Sequence, residues 1–108
     1  MWFFASEGFV SIVAHRYKPE YVLVRARKMS HLKALFPNAD HYSEPDADYP
    51  HRAVIHRSIV ANMFLDYIMN LKYGNFKSSV YESDYLHACH DVWSLMDKFG
   101  SEHRGGEL

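Results

Sequence analysis

Apolar and polar positions alternate most cleanly at Tyr21-Val22-Leu23-Val24-Arg25-Ala26-Arg27. Val22, Val24 and Ala26 share one side; Tyr21, Leu23, Arg25 and Arg27 share the other. Successive strand side chains point to opposite faces of a sheet, so this spacing predicts a half-buried strand with a small apolar inner face. Upstream, Trp2 to Ala5 and Phe9 to Arg16 read as two further strands joined by Ser6-Glu7-Gly8. Gly8 at the end of that short loop predicts a hairpin with one residue at positive φ. Antiparallel pairing of the second and third runs matches Val10, Ile12 and Ala14 with Val22, Val24 and Ala26. The same register is expected to bring Ser11 and His15 toward Arg25 and Arg27 on the outer face.

Beyond the third strand, Ser30 is a candidate cap for a short helix over His31 to Phe36, ended by Pro37-Asn38. Ala39 to Ser43 reads as a brief strand, Glu44 to Pro50 as a turn between two prolines, and His51 to Arg57 as another strand. The period then changes. Ser58 is a helix-cap candidate, and Ile59, Val60, Met63, Phe64, Tyr67, Ile68 and Leu71 recur at steps of three and four up to Gly74, a favoured terminator. Asn75 to Tyr81 reads as a turn or short helix in which Asn75 caps, Phe76 closes the core and Lys77 points outward. Ser83 opens a last helix with Tyr85, Cys89, Val92, Trp93, Met96 and Phe99 along one side, closed by Gly100. The pattern predicts an α+β fold: a mainly antiparallel sheet of four to five strands in the first half, packed by two long C-terminal helices across one face and by a short helix. Residues 1–100 form a single domain, and 101–108, containing Gly105-Gly106, read as a flexible tail.

The 108 residues suffice for one core, and 48% hydrophobic with 16% aromatic residues predicts a packed globule rather than disorder. A net charge of −1 with no strongly basic half argues against general nucleic-acid binding, although a local basic patch is compatible with it. Cys89 is the one cysteine, which excludes an intramolecular disulfide and fits a reducing, cytoplasmic setting. The apolar start meets Ser6-Glu7-Gly8 at once. That is the pattern of neither a secretory signal nor a membrane span, so no membrane association is expected.

The blocks Val24-Arg25-Ala26-Arg27, Asp46-Ala47-Asp48-Tyr49 and Asn75-Phe76-Lys77, together with Gly8-Phe9, His15-Arg16 and His90-x-Val92-Trp93, occur in the order of a resemblance. The chain resembles a family of small uncharacterised bacterial and phage proteins across most of its length. The resemblance implies no activity. It implies that Arg25, Arg27, Asp46, Asp48, Tyr49, Arg52, Asn75, Lys77 and His90 belong to the family pattern, from which Gly74 and the many histidines depart.

Four constellations could carry chemistry. Arg25 and Arg27 with Tyr21, Phe9 and His15 place cations among aromatics, which suits bidentate recognition of carboxylate or phosphate and stacking on bases. The plainer reading is cross-strand ion pairing with acidic neighbours. Asp46-x-Asp48 could hold a hard cation, yet the rest of a calcium loop is missing; aspartates capping backbone N–H groups or paired with Arg52 explain the stretch more simply. Eight histidines include His87 and His90 at i, i+3, without a second ligand pair, and Cys89 falls on the apolar side of its helix, where a nucleophile is not expected. Lys77 adds a cation to an anion site or serves only as a solvated surface residue.

No phosphate loop, zincin motif or nucleophile elbow is present, and no cofactor, metal or catalytic residue is assigned. The reading that follows is a small non-catalytic interaction protein, of the kind that acts as a phage or mobile-element regulator or inhibitor. It engages a protein partner through Tyr21, Arg25, Arg27, His15, Arg52 and Lys77, with Asp46, Asp48 and Tyr49 as an acidic loop site. Nucleic-acid or nucleotide binding by the same face is the alternative. A metal-dependent hydrolase or nuclease using Asp46, Asp48 and His90 comes third. The apolar residues on the outer face are also compatible with a homodimer.

Overall fold

β3 (Tyr21–Ala26) lies at the middle of a five-stranded sheet, between β2 (Gly8–Ala14) and β5 (His51–His56). β1 (Trp2–Ala5) and the two-residue β4 (Tyr42–Ser43) form its edges, giving the order β1-β2-β3-β5-β4 with every neighbouring pair antiparallel. The molecule is a computed structural model, and it describes residues 1–103. Register follows the apolar alternation: Ile12 pairs with Val24 and Ala14 with Val22 across β2 and β3, and Val24 pairs with Ala53 across β3 and β5. Val10, Val24, Ala26 and Ala53 are completely buried on this inner face, whereas Ala14, at the end of β2, is exposed.

Two helices cover the inner face. α1 (Met29–Leu35) contributes Leu32 and Leu35, and α2 (Arg57–Met69) contributes Val60, with Met63, Phe64 and Tyr67 packed around them. Phe3 stands edge-on to Phe64 and Tyr67, at 4.7 and 5.5 Å between ring centres. α3 (Ser83–His103) does not join them. Its first turns bury Tyr85 and Cys89 against Phe4 and Phe9, which point to the opposite face, while the rest of the helix is exposed to its end. The expectation of two long helices across one face is therefore corrected. The stripe from Tyr85 to Phe99 is continuous in sequence, but only its first turn and a half meets the body of the fold.

Several boundaries differ for local reasons. α1 starts after Lys28, not at Ser30, and no side chain caps it. α2 follows β5 without a connecting loop because His56 itself caps the helix, its Nδ1 accepting from the Ser58 N–H at 3.1 Å. α2 stops at Met69, where the Asn70 side chain donates to the Asp66 carbonyl, so Leu71 and Gly74 lie beyond it. The expected strand at Ala39 to Ser43 shrinks to Tyr42–Ser43, and Asn75 accepts from the Lys77 N–H to open a 3₁₀ turn at Lys77–Ser79. α3 runs through Gly100 to His103, so residues 101–103 of the expected tail are helical; 104–108 lie outside the described residues.

Gly8 does not adopt positive φ, as no described glycine does. It serves close approach instead: a Cβ there would lie 2.5 Å from His31 Cγ and 2.6 Å from His31 Cβ. No described helix is long and apolar enough to cross a membrane.

Candidate functional site

Strand alternation places Arg25 and Arg52 opposite each other on the outer face, with Arg27 just beyond the end of β3. The loop between β4 and β5 folds over them, closed by Glu44 N–H to the Pro50 carbonyl at 2.8 Å and Ala47 N–H to the Glu44 carbonyl at 3.0 Å. That loop buries the Tyr49 ring beneath two guanidinium groups, with Arg25 Cζ 4.6 Å and Arg27 Cζ 4.1 Å from its centre. A guanidinium stacked on an aromatic ring is held by the ring quadrupole and by shape, and its N–H edge stays free to donate.

The remaining contacts show where the acidic loop spends its charge. Arg52 donates from Nε to the Tyr49 carbonyl at 3.0 Å and lies 3.7 Å from Glu44 and 3.9 Å from Asp48. Asp48 Oδ1 also accepts from the Tyr49 N–H at 2.8 Å. Arg27 reaches the same loop only through the Asp48 backbone carbonyl, at 2.6 Å. Arg25 Nη2 donates to Ser11 Oγ at 2.8 Å, while its Nε is buried without a hydrogen-bond partner. Among the described residues no carboxylate forms an ion pair with Arg25 or Arg27, and Asp46 is exposed and pairs with no cation. Asp46, Asp48 and His90 do not gather: no group of three or more potential metal ligands occurs among the described residues.

The other residues singled out from sequence lie elsewhere. His15 sits at the far end of β2 from Arg25, a correction to the expected neighbourhood: Ser11, not His15, is the cross-strand partner of Arg25. Its Nδ1 accepts from the Tyr17 and Lys18 N–H groups at 3.1 and 3.0 Å and so shapes the β2–β3 turn. Tyr21 is at that same end, edge-on to His56 at 5.2 Å. Arg27 lies six residue steps along the chain from Tyr21, about 20 Å in an extended strand. Lys77 is off the sheet, with Nζ 4.3 Å from the centre of the Trp93 ring on α3. Arg25, Arg27, Arg52, Tyr49 and Asp48 thus form one cluster, and His15, Tyr21 and Lys77 do not belong to it.

Sequence reasoning missed the groove beside this cluster. Between the β1–β2 hairpin and the root of α3 lies an apolar cavity of about 220 Å³ lined by Phe4, Phe9 and Tyr85, with the charged side chains Arg27, Lys28, Glu82 and Asp84 also bordering it. Phe4 and Phe9 stack at 4.5 Å, and Phe9 lies 6.4 Å from Tyr49, so aromatic surface continues from the groove to the arginines. The wall is braced by His31, whose Nδ1 accepts from the Phe9 N–H at 3.1 Å and whose Nε2 donates to Glu82 at 2.8 Å. Lys28 contacts the other Glu82 oxygen at 2.6 Å. Hydrogen bonding first to Lys28 and then to His31 lowers the Glu82 carboxyl below the ordinary carboxylate range. With Nδ1 committed to the backbone, His31 has no free lone pair with which to act as a general base. Cys89 is buried with Tyr85 and Val80, and burial pushes its thiol up, away from a nucleophilic thiolate.

No family model, no curated protein and no solved structure matches the chain.

Proposed function

We propose that the protein is a non-catalytic binding module whose Arg25–Arg27 end and adjoining groove dock a protein segment carrying a carboxylate next to an apolar or aromatic side chain. The observation that carries this reading is the absence, among the described residues, of any carboxylate partner for two arginines already oriented on Tyr49. Loop carboxylates are near at hand, yet they serve Arg52. Orienting a guanidinium costs side-chain entropy. Here the fold has met that cost before any ligand arrives, so a carboxylate gains a bidentate, charge-assisted contact. The apolar groove beside Arg27 supplies the second half of the recognition, because charge alone at an exposed rim adds little affinity.

Base stacking is supported less well. Tyr49 is buried, and both arginines already occupy its surroundings, so it offers no free face to a nucleobase. The −1 net charge adds no long-range attraction for a polyanion.

The test is fluorescence anisotropy of the full chain against labelled peptides with alternating acidic and aromatic residues, alongside a single-stranded oligonucleotide. Peptide binding that is lost in Arg27→Glu, with an unchanged melting midpoint, supports the reading. Oligonucleotide binding that falls steeply with salt, without peptide binding, replaces it with the nucleic-acid reading.

A further inference from the structure

The exposed part of α3 carries a periodicity stricter than a surface helix needs. Tyr85, Cys89, Val92, Met96, Phe99 and His103 recur at alternating steps of four and three, the seam of a heptad repeat. Beside that seam, Leu86 and Trp93 fill one flank and Ala88 and Leu95 the other, leaving His87, His90, Asp91, Ser94, Asp97 and Lys98 on the remaining side. The helix is therefore apolar along the seam from Tyr85 to Phe99 and on both flanks as far as Leu95, with Gly100, Glu102 and His103 ending the pattern. A two-stranded coil would leave the flanks wet; a helix patterned this way suits a bundle with a neighbour on each side.

Among the described residues its own chain reaches that part of the helix only where Lys77 Nζ lies 4.3 Å from the Trp93 ring. Beyond Cys89 every residue of α3 is exposed, including Trp93 at 53%, Leu95 at 67%, Met96 at 59% and Phe99 at 54%. The helix runs on for about 20 Å past its buried root. The radius of gyration is 15.7 Å, against about 13 Å for a compact chain of this length.

α2 has the matching deficit. Its inner side carries Val60, Met63, Phe64 and Tyr67 into the core, yet its outer side presents Leu65, Ile68 and Met69, at 58%, 65% and 74% exposure. A helix apolar on both sides is a buried helix, and α2 has only one side buried.

We infer that the protein forms a two-fold symmetric homodimer in which the projecting half of α3 packs on α2 and α3 of a second copy, giving a four-helix layer distinct from the Arg25–Arg27 site. Two considerations select a second copy as the occupant. At roughly 150–250 Å² for a fully exposed large side chain, the apolar residues left open on α2 and α3 present on the order of 900 Å² per chain. That total is spread over two faces, α2 on the inner side of the sheet and α3 on the outer, and together it matches the roughly 800 Å² per partner of a stable interface. The two open faces are also mutually suited: each chain carries one projecting apolar helix and one apolar helix face to receive it. A two-fold axis satisfies both at once, twice over, and closes the assembly without leaving a free end.

The test is the mass of the full chain by light scattering and sedimentation across a concentration series, with Met96→Lys on α3 and Leu65→Lys on α2. Both side chains are exposed and belong to neither core cluster, so each variant is expected to keep the native circular dichroism of the fold. The wild type is expected at twice the chain mass, with a melting midpoint that rises with concentration. Symmetry enters each lysine twice, so each variant should weaken association by roughly a hundredfold or more and appear monomeric. Amides of residues 92–103 should be protected from exchange in the wild type and lose that protection in both variants. A wild type that stays monomeric at about 100 µM overturns the inference, since interfaces of this size bind at micromolar or better. So does a dimer that survives both lysines, or one that Arg27→Glu dissociates, because either places the interface on another surface. Peptide binding at Arg27 is read independently of the first two outcomes, and in the third the binding measured on the monomeric Met96→Lys variant separates the two readings.

Discussion

Gly8→Ala isolates the contact on which the groove wall depends. The added methyl would stand 2.5, 2.6 and 2.8 Å from Cγ, Cβ and Cδ2 of His31. These atoms are the root of the side chain, not its flexible tip, and both ring nitrogens are engaged, with the Phe9 N–H and with Glu82. Gly8 has no positive φ, so in the absence of the clash alanine would stabilise the fold by about 0.4–1 kcal/mol through the unfolded chain. With it, overpacking costs about 1–3 kcal/mol, and displacing the ring releases a neutral hydrogen bond worth about 1 kcal/mol. The bond to Glu82 adds little, because that carboxylate is 37% exposed and screened. The sum is a net destabilisation of about 1–3.5 kcal/mol, a fall of roughly 5–15 °C in Tm for a chain of this size. Urea denaturation of Gly8→Ala, His31→Gly and the double variant measures it. In the His31→Gly background, which removes the Cβ as well as the ring, Gly8→Ala should be neutral or mildly stabilising. A wild-type background that tolerates Gly8→Ala, or an equal cost in both backgrounds, would show that the close approach does not constrain the hairpin.

Two further outcomes follow from the same region. Glu82 has a folded-state pKa below its unfolded value, so its contribution is present above the unfolded value and is lost as pH falls through the folded one. The stability difference between wild type and Glu82→Gln, under about 1 kcal/mol for so exposed a pair, should be constant near neutrality, start to fall near the ordinary carboxylate value of about 4.3, and be gone once the pH is below the lowered folded-state value. A difference that grows on acidification would reverse the assignment. Cys89, buried with its thiol pushed up, should react with a disulfide reagent only at the rate of unfolding; rapid modification of the native chain would contradict its burial.

The sheet was legible because its information is local. Alternation at Val10–Ala14 and Val22–Ala26 sets which face is inner, and a slip of one residue would expose every one of those side chains. The same alternation identified Arg25 and Arg27 as outward-facing. What stayed hidden was pairwise and distant. Nothing near Asp48 in sequence reveals that its carboxylate goes to Arg52 while only its carbonyl goes to Arg27. His15 was misplaced because the face was read correctly but the distance along the strand was not. Gly8 carried a turn reading because its real constraint, the His31 ring, lies 23 positions away in the chain. The apolar stripe of α3 announced that something covers it, and periodicity does not say which polypeptide does so.

The root of α3 has a consequence for the order of folding. The β1–β2 and β2–β3 pairings join residues close in sequence, and even β5 reaches β3 across one short helix. The bonds that seat α3 are of another kind: Glu82 reaches His31 across 51 positions, and the Tyr85 hydroxyl donates to the Ala5 carbonyl across 80. Closing loops of that length is entropically dear and is compensated only once the hairpin presents a finished receptor, so α3 is expected to dock after the sheet has formed. During that interval Phe4, Phe9 and the whole length of the helix face solvent together. A nascent chain would thus meet its kinetic hazard, and its choice between its own hairpin and a neighbouring molecule, at the last step of folding rather than the first.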